Sequence, residues 1–151
     1  MTETLLESFG IYGGTIAVAF IAGMFPLASI ELFLIGISAI AGPSIGTVAL
    51  CCLLAAVSHQ IAKTLCYFAG VGVEHGKIGK RLEQIRPRIE KWNKAPKLVM
   101  LLGATLGIPP LYLLAFIAEP IMRMRFWPFT LIVFFGRLGR FMFLAAIPLV
   151  F

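Results

Sequence analysis

The sequence predicts an all-α polytopic membrane protein, a single domain over 1–151 with two opposed re-entrant helical hairpins, each followed by a transmembrane helix. Three observations carry this. Hydrophobic residues make up 60% of the chain and charged ones 13%, with a mean hydropathy of +0.96, which leaves no room for a separate soluble enzyme domain. Two apolar runs, 45–73 and 126–151, are long enough to cross a ~30 Å hydrocarbon core as single helices. Two more, 9–42 and 98–122, are equally apolar but broken near the middle by glycine and proline.

In the first broken run the interruption is Gly23-Met24-Phe25-Pro26, and Glu31 is the one charge. Each arm holds about 16 residues, short of the ~20 a helix needs to span, so a re-entrant pair with its tip near Pro26 is expected. Irregular backbone at that depth requires protein or a water-filled cavity around it, hence an interior site. The leading residues carry Glu3 and Glu7 and no base, unlike the positive start of a signal peptide, and are read as part of the mature chain.

Gly42-Pro43-Ser44 closes that hairpin, and the full span 45–73 follows, with His59 and Lys63 in its second half. Lys63, roughly 30 Å past Pro43 at helical rise, is expected to snorkel to the far interface, marked by Tyr67 and Phe68. Cys51, Cys52 and Cys66 show no metal or redox spacing and read as buried free thiols; no cofactor or metal is expected.

Between 74 and 97 the chain turns hydrophilic, with eight basic residues against Glu74, Glu83 and Glu90. Ile78, Leu82, Ile85, Ile89 and Trp92 recur at spacings of three and four, as in an amphipathic helix on a membrane surface, with Pro87 placed to kink it and His75 in a solvated loop. The basic excess marks this linker as cytoplasmic. No nucleic-acid motif accompanies it.

The second broken run, 98–122, is interrupted by Gly103, Gly107 and Pro109-Pro110 and leads into Arg123 and Arg125. A full crossing would put those arginines opposite the basic linker. Re-entry with a tip at 107–110 keeps them cytoplasmic, and the last helix then runs outward. The two breaks, in matching places of two halves, are the mark of an inverted repeat with a site near the midplane.

The last helix carries Arg137 and Arg140, three residues apart and so on one face, with Arg137 roughly 15 Å deep. A charge in hydrocarbon costs about 3 to more than 10 kcal/mol, so it persists when paired, hydrated or used. Two guanidinium groups can grip a phosphate or carboxylate, and one carboxylate cannot balance both. Glu31, about 7 Å from the first tip, is expected to counter them or carry a proton; the bland alternative is a fixed ion pair. His59 is either a proton relay or a packing residue. Glu119 is expected to pair with Arg123 at i, i+4, with a lesser chance, like Lys63, of touching substrate.

The order Phe25-Pro26, Glu31, Gly36, Tyr67, Gly70, a basic linker, Gly107-Ile108-Pro109-Pro110 and Gly136-Arg137-Leu138-Gly139-Arg140-Phe141 resembles the bacterial DedA family, which shares its VTT, or SNARE-associated, domain with eukaryotic membrane proteins. The likeness covers roughly 20–150. It implies opposed re-entrant segments and movement of an anionic lipid, undecaprenyl phosphate or a phospholipid, between leaflets of the cell inner membrane. It matches Glu31 to the family's acidic residue, and Arg137 and Arg140 to its arginine-bearing last helix. The chain departs from it at 103–106, which hold no arginine, and at His59, where many members have an aspartate.

The expected function is that of a flippase-like lipid transporter and not an enzyme, with Arg137, Arg140 and Glu31 at the headgroup and Pro26, Gly107, Pro109 and Pro110 at the gating tips. The alternatives are a small-ion or solute carrier, proton-coupled or not, and a non-transporting scaffold or assembly factor. An anionic membrane lipid is the expected partner, no nucleic acid is expected, and a homodimer is an open option.

Overall fold

The computed structural model describes residues 2–25, 29–40, 44–73, 77–90, 94–108 and 110–151, with backbone alone for 2–9, 40, 73, 77–78, 82, 85 and 88–89. Among them the chain is helical, without strands. Its seven helices are α1 (Thr2–Met24), α2 (Ile30–Ile40), α3 (Ile45–Val73), α4 (Lys77–Ile89), α5 (Pro96–Thr105), α6 (Leu111–Ile117) and α7 (Phe126–Val150). Two of them, α3 and α7, are long and apolar enough to cross a membrane.

The two long helices have the extents their apolar runs predict. Ser44 starts α3 as a helix cap, its hydroxyl accepting from the Thr47 N–H at 3.4 Å while its carbonyl accepts from Thr47 and Val48. The broken runs fall into α1–α2 and α5–α6, and the members of each pair touch. Their arms differ from the expected lengths. α1 begins at Thr2, not near 9, because the lead-in Thr-Glu-Thr-Leu-Leu-Glu is rich in helix formers and a helix does not need apolarity to continue. α6 stops at Ile117, not 122, because Glu119 precedes Pro120, whose ring disfavours the helical conformation there. The tip residues Pro26 and Pro109 lie outside the described residues, as do His75 and Trp92.

The chain divides into two compact units, Met1–Ala62 with Arg137–Phe151, and Lys63–Gly136. The first holds α1, α2, the start of α3 and the end of α7. Its core is built of small residues, with Ala19, Cys51, Cys52, Ala55, Ala56 and Ala145 buried around Leu34 and Phe141. Small side chains let helix backbones approach, and Gly23 shows how closely: a Cβ there would lie 2.5 Å from that of Ala62. Hydroxyls tie the helices across this core. Ser58 donates to the Ile16 carbonyl at 2.7 Å, and Ser38 to the Ala145 carbonyl at 2.8 Å.

The second unit holds the end of α3, α4, α5, α6 and the start of α7. Met100, Leu114, Ile117, Phe129 and Val133 form its buried centre. Tyr67, expected at an interface, belongs to this core: it stacks on Phe129 at 4.8 Å and donates its hydroxyl to the Met124 carbonyl at 2.9 Å. The aromatic packing of the start of α7 draws the ring inward, leaving Phe68 and Trp127 as the exposed members of the cluster. Gly70 lies against the Phe116 carbonyl, where any Cβ would collide. At the break between α5 and α6, Gly107 takes a φ of 79°, a left-handed conformation that glycine adopts without strain.

Candidate functional site

The break before α2 builds the site. Ser29 caps the helix, its hydroxyl accepting from the Leu32 N–H at 3.3 Å. That leaves Glu31 in the first turn, where the positive end of the helix dipole favours a carboxylate. Ser29 also donates to Glu31 Oε2 at 3.4 Å. The other oxygen faces α7, where helical spacing aims Arg137 and Arg140 the same way. Arg137 Nη1 and Arg140 Nε both donate to Glu31 Oε1, each at 2.9 Å.

The three side chains expected to work together are therefore one cluster, all within the first unit. They are partly shielded, with Arg137 11%, Glu31 22% and Arg140 25% exposed. Two guanidinium groups share one carboxylate, so the triad carries a net charge of +1. Arg137 Nε is buried with no hydrogen-bond partner among the described residues, a donor left over in a low-dielectric setting where an unmade bond is costly. One carboxylate oxygen holds both arginines, so an anion that takes its place meets an N–H donor from each of them at once.

The remaining candidates are placed as follows. His59 is buried in the first unit, its ring edge-on to Phe141 at 6.0 Å, next in sequence to Arg140. Gly107 and Pro110 belong to the second unit, Pro110 as the cap of α6. Lys63 does not snorkel: it is 2% exposed and its ammonium is not free. Helix α3 turns this residue toward packed neighbours rather than along the outer stripe formed by Leu50, Leu53, Val57, Ile61, Leu65 and Phe68. Glu119 and Arg123 do not form the expected ion pair. No helix connects them past Ile117, and the Arg123 N–H instead donates to the Glu119 carbonyl while Arg123 takes a φ of 53°. Glu119 Oε2 is buried without a partner.

Sequence reasoning missed Ser29, Ser38 and Ser58. Ser29 had a signal, a serine directly before an apolar helix with an acid in its first turn. Ser38 and Ser58 had none, since which helix lies opposite is not written locally. In comparison with known proteins, no family model, curated protein or solved structure matches this chain.

Proposed function

We propose that the chain is a multi-pass inner-membrane protein of DedA type that holds the anionic headgroup of a lipid at Arg137 and Arg140 and assists its passage between leaflets. The observation that carries this reading is the triad: two arginines held by a single carboxylate oxygen, with one buried N–H unused. Counted with its carboxylate the triad keeps a net positive charge, which supports binding of an anionic ligand at this partly shielded place. Glu31 occupies the ligand's place when no headgroup is bound and yields it when one arrives.

The membrane setting is supported by α3 and α7 and by their outer faces. Along α7, Trp127, Leu131 and Phe135 are exposed, as is the stripe on α3. Apolar surface of that extent is rare on soluble monomers and ordinary against lipid. The re-entrant arrangement is supported most directly by α5 and α6, whose 10 and 7 residues are too short to span. The composition of the two units supports an inverted repeat, since each takes one broken pair and one part of each long helix. In this topology 74–97 is cytoplasmic and the breaks at Pro26 and at 107–110 are the gates.

The test is lipid movement in proteoliposomes with Arg137→Ala, scored with headgroup-labelled phosphatidylglycerol. The expected result is loss of movement with the protein still inserted and folded by circular dichroism. Normal movement by the stably inserted variant overturns the assignment. Dependence on a water-soluble anion with no lipid movement would select the solute-carrier reading instead.

A further inference from the structure

The chain's net charge of +6 is not spread over it. Segment 77–97 holds eight of the 13 bases, Lys77, Lys80, Arg81, Arg86, Arg88, Lys91, Lys94 and Lys97, and two of the seven acids, Glu83 and Glu90. Its surplus of six equals the surplus of the whole protein, and the other five bases are matched by five acids. For the bases whose side chains the structure describes, this charge is presented, not consumed. Lys80, Arg81, Lys94 and Lys97 are exposed and Arg86 half-buried, and none of the five makes an ion pair with the exposed Glu83 or Glu90. On a helix surface, acids three and four residues from bases ordinarily neutralise them in part. Here Glu83 lies three residues before Arg86, and Glu90 four after it and four before Lys94, yet no ion pair forms between them.

The same stretch has a second pattern. In helix α4, Ile78, Leu82, Ile85 and Ile89 recur every three or four positions and fall within a narrow arc of the helical register. Arg81 and Arg86 fall on the two flanks of that arc. An apolar arc with bases on its shoulders is the arrangement of a helix lying in the headgroup plane, where apolar groups enter the acyl boundary and bases meet phosphates. An acidic, apolar groove of a soluble protein could take such a helix too. Only three residues separate α4 from α3, however, which is long and apolar enough to cross a membrane, and that sequence position favours a lipid surface.

We propose that segment 77–97 is a docking surface for an anionic lipid leaflet, seating α4 in the headgroup layer when acidic phospholipid is present and leaving it in water when it is not. The seat is electrostatic first: each base near an anionic surface strengthens association about fivefold at low salt, and the effect falls away beyond a Debye length of ~10 Å. This rests on the membrane reading above but not on lipid movement, and it uses none of Glu31, Arg137 or Arg140.

The experiment uses the full chain with Cys51, Cys52 and Cys66 replaced by alanine and Ile85→Cys carrying an environment-sensitive fluorophore, Ile85 lying on the apolar arc of α4. The protein is reconstituted into vesicles of phosphatidylcholine alone or with about a third phosphatidylglycerol, and quenching by neutral acrylamide is measured. Quenching is expected to fall severalfold in the phosphatidylglycerol vesicles. The fall should vanish in ~0.5 M NaCl and on changing Lys80, Arg81, Arg86, Lys94 and Lys97 together to glutamine, while a Lys-to-Arg and Arg-to-Lys exchange at the same five positions preserves it. Equal quenching in both vesicles, with the protein inserted, overturns the docking surface and leaves the membrane reading standing. A fall that survives both salt and glutamine overturns its electrostatic basis. Failure to insert into either vesicle overturns both.

Discussion

The two units share the long helices α3 and α7 and are stabilised by unlike means. The first takes α1 and α2 with a portion of α3 and α7, and the second takes α4, α5 and α6 with the rest of the two long helices. In the first, the packed interior contains Thr15, Ser38, Ser58 and His59, and a partly shielded carboxylate is shared by two arginines. In the second, the centre is aromatic and aliphatic, and the polar bond from Tyr67 goes to backbone. The same contrast separates the helix starts after the two breaks. Ser29 and Glu31 open α2 with a cap and a charge, whereas Pro110 opens α6 with no side-chain cap, and the seven residues after it are apolar or aromatic. Among the described residues, the side-chain ion cluster belongs to the first unit, while the second unit rests on apolar and aromatic packing.

The sharpest way to break this comparison is to remove a carboxylate from each unit. Glu31→Ala leaves two neighbouring guanidinium groups partly buried and without their shared counterion, and should destabilise the protein by about 3–5 kcal/mol. Glu119→Gln removes a carboxylate whose Oε2 has no partner, so it should be neutral or mildly stabilising. Thermal unfolding of both variants in detergent decides it. Equal effects would mean that the triad is not the stabilising centre of its unit. Arg137→Ala combined with Glu31→Ala should recover much of the loss, since fewer unpaired charges remain.

Next in size is the close packing of the second unit, tested within one helix. At Gly70 an added methyl would strike the Phe116 carbonyl, a backbone atom that cannot swing aside. Gly70→Ala should cost at least about 1–3 kcal/mol, the usual range for overpacking. At Gly72, two residues on, nothing lies within 4 Å, and Gly72→Ala should instead stabilise by about 0.5–1 kcal/mol through helix propensity. Opposite signs in the two melting temperatures are the expected result, and a like sign would mean that α3 and α6 do not meet as described.

These two tests also mark what could be read from the chain alone. The long helices were legible, α3 at both ends and α7 to within a residue, because apolar length acts locally and a serine caps α3. The triad was legible because two arginines three apart in an apolar run have few ways to be accommodated, and Glu31 is the one acid within the first apolar run. Lys63 and Tyr67 were misplaced for a shared reason. Position along a span sets depth, but which way a side chain faces depends on the neighbouring helix, and both residues point into packed surroundings. Glu119 and Arg123 were misplaced because the i, i+4 rule presumes a helix, and Pro120 removes it. Gly70 was quoted for its place in a family pattern, with no hint that it is the point of closest approach to a carbonyl.

The smaller predictions separate the two kinds of polar bond. Tyr67→Phe removes a buried hydroxyl that holds the Met124 carbonyl, at a cost of about 1 kcal/mol with the ring packing intact. Ser38→Ala removes the bond from α2 to the Ala145 carbonyl on α7. Interhelical hydrogen bonds in membrane proteins average about 0.6 kcal/mol, because the separated helices find other partners, so this is the smallest loss expected. Its value lies in where it acts. Ser38 is two turns past Glu31 on α2, and Ala145 is five residues past Arg140 on α7, so the bond fastens the same two helices that the triad joins. If Ser38→Ala and Glu31→Ala are measured singly and together, additive losses mean that the ion cluster and the hydroxyl act independently. A combined loss smaller than the sum by more than about 0.5 kcal/mol means that breaking the triad already frees α2 from α7, which is the motion that exchange of a headgroup for Glu31 would require.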